Sequence, residues 1–110
     1  MLLLLFAQAL ESPPPPRLSG PVVTLFSTDD YPKEAVRHNW QGTVVADLTI
    51  SAKGQVSACK IVQSSGYGVL DNKTCEILFA RARFVPAKDA EGRPTADLVR
   101  TPPIMWRLSR

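Results

Sequence analysis

From Gly42 to Ala52 the chain reads GTVVADLTISA, with apolar and polar side chains in alternation. Val44, Ala46, Leu48 and Ile50 fall on one face. Thr43, Asp47, Thr49 and Ser51 fall on the other, with Val45 the single apolar residue among them. A period of two with one polar face predicts a strand buried on one side. Lys53-Gly54 supplies a hairpin turn, since glycine takes the positive φ needed there. The returning strand, Val56 to Gln63, is out of step. Val56, Cys59 and Ile61 share a face only if an extra residue sits near Ser57-Ala58, so a bulge is expected there.

Upstream, Val22 to Phe26 is apolar and β-prone and predicts a short leading strand. Asp29-Asp30-Tyr31-Pro32 reads as a helix start: acids precede a proline allowed in the first turn, and Glu34 follows. That helix is expected to reach about Trp40 and stop at Gly42. Tyr31, Ala35, Val36 and Trp40 form its inner stripe, while Lys33, Glu34 and Arg37 face water. Downstream, Ser64-Ser65-Gly66 closes the second strand. Asp71 caps a second helix, and Leu70 packs against its first turn. Cys75, Leu78, Phe79 and Ala82 recur at the spacing of one helical face, and Pro86 ends the element. Ala87 to Pro94 reads as a polar loop. A last strand is expected from about Thr95 to Leu108, where Ile104, Trp106 and Leu108 alternate with Met105, Arg107 and Ser109. Pro102 and Pro103 carry no N–H, so the strand is an edge there or is bent.

This order predicts an α+β fold: a small three-stranded antiparallel sheet with two helices packed on one face, and a possible short leading strand at Val22–Phe26. Residues 1–20 divide from it as an apolar segment and a proline-rich linker, leaving 21–110 as the folded domain. Met1 to Ala7 is apolar, and Ala7-Gln8-Ala9 has the form of a signal-peptide cleavage site, but no basic residues precede it. Three readings stand: a clipped secretion signal, the tail of a longer membrane helix, or a disordered apolar end. The run is shorter than the roughly 20 residues that span a bilayer. Pro13 to Pro16 is an extended polyproline spacer.

Composition narrows the chemistry. The net charge over 110 residues is +3, and the basic residues are scattered without aromatic platforms, which argues against nucleic acid. Cys59 and Cys75 are the only cysteines and His38 the only histidine, too few and wrongly spaced for a zinc site. No paired carboxylates, phosphate loop or nucleophile motif is present, so no catalytic residue, metal or cofactor is expected. A catalytic thiol would need an activating base, and His38 sits in the other helix. Cys59 shares a phase with Ile61 and points toward the helices, while Cys75 lies on the stripe that faces the sheet. Such a pair is either a disulfide or two neighbouring buried thiols. A disulfide closing a loop of about 15 residues would contribute about 3 kcal/mol.

Several short motifs, taken in order, resemble a known family. They are Tyr31-Pro32-x-x-Ala35, Gly42-x-Val44, Gly54-x-Val56, Ser64-Ser65-Gly66-x-x-x-Leu70-Asp71, Phe84-x-Pro86-Ala87 and Ile104-x-Trp106-x-Leu108. From about Tyr31 to Leu108 the chain resembles the C-terminal domain of TonB proteins. The resemblance implies a disulfide between Cys59 and Cys75. It implies a place in the periplasm of Gram-negative bacteria, where full-length relatives are anchored in the inner membrane and a proline-rich stretch carries this domain outward. It implies binding to the TonB box of outer-membrane receptors, with energy from the ExbB–ExbD motor and uptake of siderophores or vitamin B12. Strand addition to an open sheet edge is the expected mode. The edge is expected at Leu98, Val99, Arg100, Thr101, Ile104, Met105, Trp106 and Arg107, with a second contact at Asp29, Asp30, Tyr31 and Pro32. Open-edged domains also pair with themselves, so a homodimer is a further expectation.

Two departures from the family pattern matter. The chain carries no bilayer-spanning segment, and its proline spacer is short. It is therefore expected to engage the motor only if an anchor is missing from this sequence. The alternative is a stand-alone periplasmic module that grips another exported peptide.

Overall fold

The computed structural model describes residues 14–108; the apolar segment and Pro13 lie outside the described residues. The chain is mixed α+β. Its strands are β1 (Arg17–Leu18), β2 (Gly42–Ile50), β3 (Val56–Gln63), β4 (Phe84–Val85), β5 (Ala87–Lys88), β6 (Pro94–Thr95), β7 (Asp97–Arg100) and β8 (Ile104–Trp106). Its helices are α1 (Lys33–His38) and α2 (Gly68–Arg81). All strand pairings are antiparallel.

The central strand is β2. Val44, Ala46, Leu48 and Ile50 are fully buried, as the alternation requires. Leu78 of α2 and Ala82 just past its end pack with Ala46, Leu48, Ile50, Val56 and Ile104 in one cluster. Ala35 of α1 joins Val44, Leu70, Ile77 and Trp106 in a second. The β2–β3 turn is closed by Gly54 (φ 80°), whose carbonyl accepts from Phe84 N–H at 2.8 Å. A Cβ at Gly54 would lie 2.1 Å from the Phe84 carbonyl oxygen, so the turn tolerates no side chain. The bulge falls where the phase shift places it: Thr49 opposes Ala58 and Ile50 opposes Val56, which leaves Ser57 extra. A second irregularity sets Val45 opposite Gln63 and Ala46 opposite Ile61, with Val62 extra.

Several expectations are corrected. Val22–Phe26 is not a strand: Val22–Leu25 forms a 3-10 turn. Thr24 donates both its N–H and its hydroxyl to the Pro21 carbonyl at 3.1 and 2.7 Å, a local closure that overrides β propensity. The first helix is shorter than expected. It ends at His38 because Asn39 is left-handed (φ 56°). Trp40 N–H then bonds back to Ala35 and Asn39 N–H to Val36, the pattern of a Schellman stop. Val36 lies on the outer side of that short helix and is exposed.

The second helix starts at Gly68, with Tyr67 as its N-cap, so Asp71 is a first-turn carboxylate rather than the cap. It accepts from Ser65 N–H at 2.9 Å and from Ser65 Oγ at 2.8 Å, bracing the loop ahead of the helix. The buried stripe is Leu70, Thr74, Ile77 and Leu78. Phe79 sits about 100° further round than Leu78 and is exposed. The polar loop at 87–94 is a small hairpin, β5 with β6, turning at Gly92.

The single last strand is divided. β7 pairs with Asp47–Ile50 and β8 with Gly42–Val44, on the side of β2 away from β3. β1, in the stretch read as linker, pairs with β4, and Pro16 is buried.

Cys59 and Cys75 are joined by a disulfide, their Cα atoms 5.8 Å apart. It ties β3 to α2. Reduction, or a Cys59→Ser/Cys75→Ser double variant, should lower stability in denaturant unfolding by about 3 kcal/mol. An unchanged midpoint would mean the crosslink leaves the unfolded chain unrestricted.

A candidate peptide-binding edge

The unpaired side of β7 and β8 is open: no further strand lies against it among the described residues. The break between the two strands falls at Thr101-Pro102-Pro103. Thr101 fills it by donating its N–H to the Ala46 carbonyl at 2.9 Å and accepting Ala46 N–H on Oγ1 at 3.1 Å. The β2 backbone thus stays paired where the prolines have no donor to offer. Along the edge, Leu98 (64% exposed) and Met105 (58%) stand in solvent, while Val99 packs on the core.

Arg100 is engaged with the sheet's polar face. It donates Nε to Asp47 Oδ1 at 2.7 Å and Nη2 to Oδ2 at 3.0 Å. This paired contact holds the Asp47 carboxyl below its ordinary range and raises Arg100. Arg107 is exposed at the strand's end. Leu108 N–H, the next donor along, is taken by Gln41 Oε1 at 2.9 Å.

Trp106 anchors the edge from inside. It is buried, and its indole Nε1–H donates to Thr74 Oγ1 at 2.8 Å; that hydroxyl donates to the Leu70 carbonyl at 2.8 Å. Phe26 and Tyr31 meet the Trp106 ring edge-on, with centroids 5.8 and 5.3 Å away. Tyr31 also donates its hydroxyl to the Trp40 carbonyl, and burial pushes that phenol's pKa up. Trp40 in turn is sandwiched between His38 and Tyr67.

The segment before α1 is therefore seated beside the edge. Between them runs a groove of about 940 Å³, walled by Val22, Phe26, Tyr31 and Val36 and floored by Pro103 to Leu108. A smaller cleft of about 360 Å³ lies on the other side of Tyr31-Pro32, against α2.

Of the sequence-predicted contact residues, Tyr31 and Ile104 to Arg107 line this groove, whereas Asp29, Asp30 and Pro32 line the smaller cleft and Leu98 to Thr101 line neither. Thr101, Ile104 and Trp106 are buried. Asp29 is exposed, but Asp30 is buried and fully engaged. Its Oδ2 accepts from Ser27 N–H at 2.8 Å and from Arg81 Nη1 at 2.7 Å, and its Oδ1 accepts from Arg81 Nη2 at 2.8 Å. Arg81 first, and the Ser27 N–H second, hold the Asp30 carboxyl well below the usual carboxylate range. Sequence reasoning missed Phe26, Thr74 and Arg81. The spacing Ser27-x-x-Asp30 is a capping-box signal that would have assigned Asp30 an internal role. Among the described residues no cluster of three His, Cys, Asp or Glu could hold a metal. No helix there is long and apolar enough to cross a membrane.

The domain is α+β, with an open antiparallel edge beside an apolar groove. The chain belongs to the Gram-negative bacterial TonB protein C-terminal family, whose model matches residues 28–108. It is 37% identical over 59 residues to protein tonB2 of Pseudomonas aeruginosa, covering 54% of this chain and 22% of that protein. It is 45% identical over 42 residues to protein TonB of Neisseria meningitidis serogroup C, covering 38% of this chain and 15% of that protein. The match spans about a fifth or less of the length of these relatives.

Two outcomes follow for this site. Thr74→Val should cost about 1–3 kcal/mol, because it strands the Trp106 N–H, while Thr74→Ser should restore most of it in denaturant unfolding. Asp30 has a depressed pKa, so its contribution is complete above the ordinary value of 3.8 and fades as pH falls below it. The stability gap between the wild type and Asp30→Asn should stay constant near neutral pH and narrow in acid. A gap that widened on acidification would contradict the ion pair.

Proposed function

We propose that this chain is the receptor-binding domain of a periplasmic energy transducer. It grips an extended TonB-box peptide near the N-terminus of an outer-membrane receptor. The grip is strand addition: the peptide's backbone satisfies the free N–H and C=O groups along β7 and β8. The observation that carries the reading is the convergence of an unpaired strand edge and an apolar groove at β8, in a member of the TonB C-terminal family.

One face of the added strand turns toward Val22, Phe26 and Val36, with Met105 and Arg107 lining the same groove. Backbone pairing supplies most of the affinity, and the groove supplies the choice of side chains. The disulfide supports an oxidising compartment such as the periplasm. In this reading an inner-membrane ExbB–ExbD motor drives the receptor through a membrane-anchored form of the protein. The cargo is a siderophore or vitamin admitted by that receptor. The chain's own part is binding, with no chemical step.

The test is an NMR titration of the oxidised protein with TonB-box peptides. Shifts should concentrate on Leu98 to Leu108 and on Phe26 to Tyr31. Proline at Val99 or Met105 should weaken binding in variants that remain folded. Unchanged affinity in both would move the site elsewhere, and no shifts at millimolar peptide would leave the domain with a different partner.

A further inference from the structure

Arg81 lines neither the groove nor the smaller cleft, yet one guanidinium holds the groove wall in place. The wall runs from Leu25 to Tyr31. It contains the end of one 3-10 turn and the whole of another, Thr28–Asp30, too short to hold a shape alone. Arg81, the last residue of α2, reaches both ends. Nη1 donates to the Leu25 carbonyl at 2.9 Å and to Asp30 Oδ2 at 2.7 Å; Nη2 donates to Asp30 Oδ1 at 2.8 Å. Asp30 Oδ2 also takes the Ser27 N–H, which closes the turn from within. Phe26 lies between the clamped ends, with its ring against Trp106. The clamp stands on a helix that the disulfide fixes to β3.

We infer that Arg81 is a positioning residue for peptide recognition: by clamping Leu25 and Asp30 it presents Phe26 and Tyr31 as the wall that reads the bound strand's groove-facing side chains. The inference rests on the strand-addition reading above. A wall ordered in advance costs the incoming peptide little, whereas a loose one must be ordered at the expense of affinity. The planar fork of arginine suits this task. It spans acceptors on two residues five positions apart in sequence, Leu25 and Asp30, which a lysine ammonium on a flexible stem holds less firmly. The clamp leaves the backbone rungs of β7 and β8 untouched. Its loss therefore acts on side-chain selection and not on strand pairing itself.

A coupling experiment tests this. The oxidised full chain is prepared as wild type, Arg81→Met and Arg81→Lys. Each is titrated with a TonB-box peptide, and with two versions in which the alternate apolar residues of one face or the other are replaced by alanine. Arg81→Met should weaken the parent peptide about tenfold or more. It should leave one of the two alanine peptides within about twofold of its wild-type affinity, the one truncated on the groove side. Arg81→Lys should fall between. Amide exchange should rise across Leu25 to Tyr31 in Arg81→Met while β2 and β3 keep their protection.

Equal losses for all three peptides, or no loss for any, would overturn the inference and leave strand addition standing. So would loss of exchange protection throughout β2 and β3, which would make Arg81 a support of the whole fold. If the wild type binds none of the peptides, the strand-addition reading fails first and this one with it.

Discussion

A buried hydrogen bond, from the Trp106 indole to the Thr74 hydroxyl, joins the edge strand β8 to α2. β8 is only three residues long and touches β2 through three residue pairs. Backbone pairing over that length is a weak hold. Burying the Trp106 ring adds apolar area at the same place, and the N–H finds its partner on α2, so the strand is fastened to helix and sheet together. The ring's remaining edges receive Phe26 and Tyr31. An edge strand, a helix and an irregular segment thus share one side chain.

Around that point the chain satisfies its backbone by local devices. Thr101 stands in for the strand that two prolines interrupt. Gln41 takes the N–H of Leu108 just past the end of β8. Asp71 gathers the serines ahead of α2. No buried side-chain nitrogen or oxygen among the described residues lacks a partner. The polar groups are settled by single side chains placed where regular structure stops, which is where a small domain has the most backbone to satisfy. The sheet keeps two sides with no further strand among the described residues, the outer rim of β7 and β8 and the outer side of β3.

The sequence shows these features unevenly, and for physical reasons. β2, its turn and the bulge at Ser57 can be read directly, because a period of two, a glycine and a one-residue phase slip are local signals. The facing of Cys59 and Cys75 follows from the same phases. The division of the last strand is not local: it depends on which part of β2 each half meets, and Thr101 reveals it only once Ala46 is its neighbour. Phe79 reads onto the inner stripe for a similar reason, and Thr74 leaves no signal of its own. Hydrophobicity puts a phenylalanine inside and a threonine outside, but the helix phase is set from Leu70, and the hydroxyl at 74 is what the indole needs. Val22–Phe26 misleads because its strand propensity has no partner strand to use. The Asp30–Arg81 contact spans 51 positions, and only its near half, Ser27 to Asp30, leaves a mark in the sequence.

The two prolines after Thr101 also bear on how long a guest strand would stay in the proposed mode. Neither has an N–H to share, and they separate β7, four residues, from β8, three residues. A strand laid along this rim meets an interrupted ladder and can close only a few consecutive rungs on either side of the gap. Complexes held by few bonds are tuned through their dissociation rate. In the proposed strand addition, a short residence time would suit a coupling that lets go after each pull. On that proposal the interruption in the edge would act as a release, limiting the lifetime of the grip without weakening the fold that presents it.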